Sequence, residues 1–130
     1  MTAKVLFTGK TQITSGPDGA ARSTNGVLDI KLPQPHPAAE NLFGAAWSAC
    51  YLGAIQLAAG QQKVTLVDPS VDAEIDLNLD GSAFFLSARL NVSIPGLDRE
   101  IAEGLLHAAH EICPYSKAVK GNVDVVTTLA

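Results

Sequence analysis

Nineteen consecutive residues, Leu42 to Gly60, carry no formal charge. A stretch that long and apolar either crosses a bilayer or runs through the middle of a folded core. Its content favours the core. Ala, Gly and Ser make up most of it, Gln56 sits inside, and only Lys63 stands near either end as a basic anchor. Such a segment inserts poorly into lipid. Good helix formers extend from Ala38 or Ala39 to about Gln61, apolar nearly all round, with Gly60 as the expected terminator. A helix apolar on every face sits at the centre of something. The expectation is a buried central helix in a cytoplasmic protein.

The flanking segments read as strands and one further helix. Residues Ala3 to Thr14 and Gly26 to Leu32 alternate like strands around a polar loop, Thr14 to Gly26, and Pro33 to Pro37 forms an extended connector. Strands are expected at Lys63 to Val67, Val71 to Asp80 and Ala83 to Ile94, with Asp80-Gly81-Ser82 as a hairpin turn. Asp98 is placed to cap a helix running to Ile112, with Ile101, Leu105, Ala108 and Ile112 as its apolar stripe and Pro114 as its stop. Gly121 to Leu129 is a last strand. The order ββ–α–βββ–α–β implies an α+β fold in which antiparallel sheets wrap the helix. A chain of 130 residues suits one domain, 1–130.

Hydrophobic residues make up 47% of the chain and charged residues 17%, which excludes a disordered chain and leaves apolar surface for a second subunit to cover. The net charge of −4 argues against nucleic acid or an acidic membrane as partner. The first ten residues, MTAKVLFTGK, lack the charge and apolar pattern of a secretory signal.

Two cysteines, Cys50 and Cys113, stand 63 positions apart and form no CxxC pair. As bland structural residues they are small buried hydrophobes. Cys50 lies deep within the long helix beside Trp47 and Tyr51, where burial raises a thiol pKa and the helix dipole has faded. A reactive Cys50 therefore needs a cation brought from elsewhere. Cys113 falls at a helix C-terminus, where the dipole disfavours thiolate. If the two work together, Cys50 attacks and Cys113 resolves.

The segment Glu40-Asn41-Leu42-Phe43-Gly44-Ala45-Ala46-Trp47-Ser48-Ala49-Cys50-Tyr51 resembles the ELFAAGYAACF-type stretch of the organic hydroperoxide resistance (Ohr) family, within the Ohr/OsmC superfamily. His110-Glu111-Ile112-Cys113-Pro114-Tyr115-Ser116 is similar to that family's HEICPYS segment, and the likeness extends to the GVLDIKL strand. The resemblance implies an OsmC-like fold and an intertwined, cytoplasmic homodimer. It implies a thiol peroxidase that reduces organic hydroperoxides to alcohols, with a dihydrolipoyl dithiol as reductant and no cofactor or metal. It makes Cys50 the peroxidatic thiol, Cys113 the resolving thiol of a Cys50–Cys113 disulfide, and Glu40 the carboxylate that orients an activating arginine. Phe43, Trp47 and Tyr115 are candidates to line the site for the alkyl group, although packing alone also accounts for them.

Helix geometry adds a constraint. Glu40 and Cys50 lie ten positions apart, or about 15 Å along a straight helix. Unless the helix breaks, the Glu40 serving a given Cys50 comes from the other subunit. The family's loop arginine is also missing: alignment on GVLD places Pro17 there, and Arg22 is the cation in the same loop. Lys10, Arg89 and Arg99 are the other cations considered, the last two reading more naturally as surface ion-pair partners. His110 and Cys113 have an i, i+3 spacing but too few companions for a structural zinc; His110 reads as a hydrogen-bonding residue at the helix end. Phe84 and Phe85, adjacent on a strand, read as packing residues. The competing class of function is a non-catalytic protein that binds a hydrophobic small molecule at the dimer interface, with both cysteines as packing.

Overall fold

The computed structural model describes residues 3–33 and 39–130. Most of the expected connector, from Gln34 onward, lies outside the described residues. The chain divides between Ala39 and Glu40 into two compact units.

The first unit is a three-stranded antiparallel meander of β1 (Thr11–Ile13), β2 (Ala20–Ser23) and β3 (Asp29–Lys31). The loop expected over 14–26 contains a strand. Two turns, Gly16 to Gly19 and Thr24 to Gly26, flank a four-residue strand too short to show periodicity, with Ala20 and Ala21 buried. Gly19 is required: a Cβ there would lie 2.5 Å from the Leu32 carbonyl oxygen and 2.8 Å from that of Thr14. The first strand is also shorter than expected, and Val5, Leu6 and Phe7 are exposed.

The second unit carries the core. Helix α1 (Ala39–Gln61) is continuous, as the absence of charge required. It ends one residue beyond Gly60, and Gly60 is not its terminating residue. Lys63 takes the left-handed conformation (φ 58°), while Val64 N–H donates to the Ala59 carbonyl and Lys63 N–H to that of Gly60. This is the Schellman arrangement with lysine where glycine is usual. The expected strand at 63–67 does not form.

A tight hairpin follows, β4 (Ser70–Asp80) and β5 (Ala83–Ser93), turning at Gly81 with φ 62°. Then come α2 (Arg99–Ile112), α3 (Pro114–Val119) and β6 (Asp124–Leu129). Strand β6 pairs parallel to β5, so this sheet is mixed, in the order β4-β5-β6, where all-antiparallel pairing was expected. The two helices between β5 and β6 supply the long crossover that parallel pairing demands. Asp98 caps α2, its carboxylate accepting from Glu100 N–H and Ile101 N–H.

Trp47, Tyr51, Ala54 and Ile55 of α1 pack against Ala88, Leu90 and Val92 of β5 and against Ala102, Leu106, Ala109 and Cys113. Of the expected stripe of α2, Leu105 is fully buried with Ala58 and Ala59, and Ala108 and Ile112 pack against them, while the buried face widens to Ala102, Leu106 and Ala109 and leaves Ile101 out. Ala102 and Ala109 bring the backbone close, and Ile101 is 44% exposed. Gly44 lets α1 approach β4, since a Cβ there would meet Ile75 at 3.3 Å.

The apolar face does not stop at the edge of this core. Leu77, Leu79 and Phe84 continue it to the hairpin tip and are more than half exposed, as is Leu57 on α1. Phe84 and Phe85, expected to pack within the chain, are 70% and 50% exposed. Along the side of α1 that Leu57 shares, Ala46, Ala49 and Gly53 are exposed as well, as is Ala45.

Candidate active site

Cys50 occupies the middle of α1 and is partly accessible, whereas Cys113 is fully buried. Between Ile112, the end of α2, and Pro114, the start of α3, Cys113 is the single extended residue (φ −66°, ψ 118°). It forms a one-residue elbow. Pro114 was expected only to stop α2, but its missing N–H and fixed φ also suit the first position of the next helix, so α3 begins at once. The elbow turns the Cys113 side chain toward α1. The two sulfurs lie 3.3 Å apart, with the Cys113 thiol donating to Cys50 Sγ. Both cysteines are free thiols.

Burial pushes the Cys50 thiol above its ordinary pKa, and the hydrogen bond with Cys113 adds to the rise. A hydrogen bond from the Tyr115 backbone opposes it by stabilising the thiolate. The described surroundings of Cys50 thus hold a partner sulfur and one backbone donor that favours the anion.

The other candidate residues fall as follows. Glu40 is in the first turn of α1, where the dipole favours a carboxylate, and lines a small polar cavity with Glu74, Asp76 and Arg89. Because α1 is unbroken, Glu40 and Cys50 of one chain are about 15 Å apart along the helix axis. Arg22 lies on β2, not in a loop. It faces Asp29 across the sheet and pairs with it at 3.1 Å, both side chains about two-thirds exposed. Arg89 holds Asp76 through two bonds of 2.6 and 2.9 Å and reaches Glu74 at 3.4 Å, which keeps the Asp76 carboxyl below the usual range. Arg99 pairs with Glu103 at 2.9 Å. Both are the ion-pair partners the sequence suggested. Tyr115 is 44% exposed, Phe43 is half-buried and meets Trp47 edge-on at 5.7 Å, and Trp47 is fully enclosed.

His110 spends both ring nitrogens on hydrogen bonds. Nδ1 lies 2.8 Å from Ser116 Oγ and Nε2 lies 2.8 Å from Thr127 Oγ1, while Tyr51 stacks on the ring at 4.3 Å. Burial holds its pKa below the ordinary value. Among the described residues no cluster of His, Cys, Asp and Glu could hold a metal ion. Ser116, which also accepts from Trp47 Nε1–H at 3.1 Å, was not singled out from the sequence. No local spacing links positions 69 residues apart.

A family model for OsmC-like proteins matches residues 32–128. The organic hydroperoxide resistance protein of Xanthomonas axonopodis pv. citri is 35% identical over 98% of this chain and 96% of its own length. The crystal structure of the organic hydroperoxide resistance protein OhrB of Bacillus subtilis superposes with a TM-score of 0.87 at 38% identity, covering 97% of this chain and all of that one. An organic hydroperoxide resistance protein from Legionella pneumophila, also a crystal structure, gives 0.87 at 34% identity over 98% of this chain and 99% of that one. The α+β fold, the paired thiols and these relatives lead to one family: the chain belongs to the OsmC-like proteins, on the organic hydroperoxide resistance branch.

Proposed function

We propose that this chain is a dithiol peroxidase that reduces organic hydroperoxides to alcohols. The observation that carries the reading is the 3.3 Å separation of two free sulfurs on different elements. A disulfide needs about 2.05 Å, so about 1.3 Å remains to be closed. The Cys50 thiolate attacks the distal peroxide oxygen; the O–O bond breaks, and the alkoxide leaves and takes up a proton as the alcohol. Cys50 is then a sulfenic acid. Cys113 attacks that sulfur, water departs, and the Cys50–Cys113 disulfide is reduced by an external dithiol, a dihydrolipoyl group being the reductant proposed. The related proteins, named for organic hydroperoxide resistance, support this substrate class.

The activating cation is assigned to Arg22. Its pairing with Asp29 is solvent-exposed, and such pairs are worth little, so the guanidinium is available for recruitment. Glu40 of a second copy orients it, since the chain's own Glu40 is too distant. Phe43 and Tyr115, with Trp47 behind Phe43, receive the alkyl group. The homodimer is supported by the uncovered apolar faces of α1 and the β4–β5 hairpin, and a pair of free thiols suits the reducing cytoplasm.

Reduced protein treated with one equivalent of cumene hydroperoxide is expected to lose two hydrogens in mass and to consume the peroxide. Unchanged mass and unchanged peroxide overturn the reading and favour a binding protein. The double substitution Leu79→Glu and Phe84→Glu is expected to convert a sedimenting dimer to an inactive monomer. A monomer of full activity overturns the shared site.

A further inference from the structure

A single hydrogen-bonded line crosses the elbow that holds Cys113. Trp47 sits three residues before Cys50 on α1, His110 three residues before Cys113 on α2, and Ser116 three residues after it on α3. The indole is a donor only, so Ser116 Oγ accepts from Trp47 at 3.1 Å, and the same oxygen lies 2.8 Å from His110 Nδ1. His110 Nε2 lies 2.8 Å from Thr127 Oγ1 on β6, so the ring bridges the two hydroxyls whichever nitrogen carries its proton. The side-chain hydrogen bonds of Ser116 thus go to one residue three positions from each cysteine. Ser116 is 8% exposed and Trp47 fully buried, so removing the hydroxyl leaves the indole N–H and His110 Nδ1 without these partners.

We propose that Ser116 and His110 are positioning residues for the resolving step: their bond struts the α2–α3 elbow and, through Trp47, ties it to the helix carrying Cys50. The inference rests on the peroxidase reading and adds a division of labour to it. Attack on peroxide needs only Cys50 and its surroundings. Resolution needs Cys113 Sγ to reach the sulfur of the Cys50 sulfenic acid, forming S–S and breaking S–OH with release of water. A strutted elbow presents Cys113 at near-bonding distance, whereas a slack one lets it swing off line. The sulfenic acid then persists long enough for a second peroxide to oxidise it to sulfinic acid.

The test is rapid-quench mass spectrometry of reduced full-length protein mixed with cumene hydroperoxide, following loss of the Cys50 thiol and appearance of the disulfide separately. In Ser116→Ala, thiol loss is expected to stay within about twofold of wild type, while disulfide formation slows on the order of tenfold or more, both hydrogen bonds to Oγ being lost. In excess peroxide the variant gains two oxygens on Cys50 where wild type does not. Ser116→Thr, which keeps the hydroxyl, is expected to restore the fast second step. Disulfide formation as fast as in wild type, or equal slowing of both steps, overturns the proposal. Should Ser116→Ala fail to fold, Thr127→Val removes the far anchor at nearly constant volume and is read by the same two rates. A wild type that consumes no peroxide at all removes the peroxidase reading itself, a result separate from any difference between variants.

Discussion

Cys113→Ser is expected to separate the first turnover from all later ones. The variant consumes one equivalent of hydroperoxide per subunit at close to the wild-type rate, then stalls as the Cys50 sulfenic acid. Steady-state consumption with a dithiol reductant is expected to fall by two orders of magnitude or more. The size follows from proximity. An intramolecular thiol already 3.3 Å from its target acts at an effective concentration that external thiols at millimolar levels do not approach, with measured values for well-oriented pairs reaching on the order of 10⁵ M and above. Stopped-flow peroxide assays and intact mass check both halves, the stalled species carrying one added oxygen and, with more peroxide, two. Turnover at the wild-type rate would mean that the disulfide is not on the pathway. Cys50→Ser, which removes the nucleophile, serves as the inactive reference.

Arg22→Ala is expected to move the pH profile of peroxide attack to higher pH. Burial already raises the Cys50 pKa, and the nearby sulfur raises it further. A guanidinium near the sulfur favours the thiolate and pulls the pKa down; removing it lets the pKa rise again. The rate follows the thiolate fraction, so each unit of rise costs about tenfold at neutral pH, and a loss of ten- to a hundredfold at pH 7 is expected. At pH above the variant's own pKa both proteins hold Cys50 as thiolate, and their rates are expected to converge. That convergence distinguishes lost activation from damaged folding. Arg22→Lys is expected to recover part of the loss, since a point charge replaces a fork of donors. Titration of Cys50 by its thiolate absorbance checks the shift directly. An unchanged pKa together with an unchanged rate makes Arg22 a bystander.

What the amino-acid order made legible was whatever depends on local pattern. The uncharged run of α1, the Asp98 cap and the Gly81 turn each carry their signal within a few residues. What stayed hidden depends on partners far along the chain or on residues with two meanings. Strand β2 is four residues between two strong turn signals, too brief to show a period. Pro114 ends one helix and begins another, and both readings are chemically sound. Lys63 occupies a position that sequence preference assigns to glycine. The parallel pairing of β6 follows from the crossover and has no signature in DVVTTL itself. At the candidate site the two cysteines were legible as a pair, and the structure places them 3.3 Å apart. Arg22 was legible as a charge but not as a strand residue paired with Asp29, and Ser116 was legible as the end of the HEICPYS-like segment but not as the partner of Trp47.

The crossover from β5 to β6 has a consequence for how the protein can work in time. Cys113 rides on a segment moored at both ends to neighbouring rungs of one sheet, with a helix on each side of it. A thiol carried on a loose tail has to find its target anew in every cycle, at the cost of ordering that tail. On the proposed pathway, oxidation closes a gap of about 1.3 Å and reduction reopens it, while the moorings stay put. The cycle proposed is then a local flexing of one joint, in which the reductant is brought to the sulfurs and the sulfurs are not carried to it.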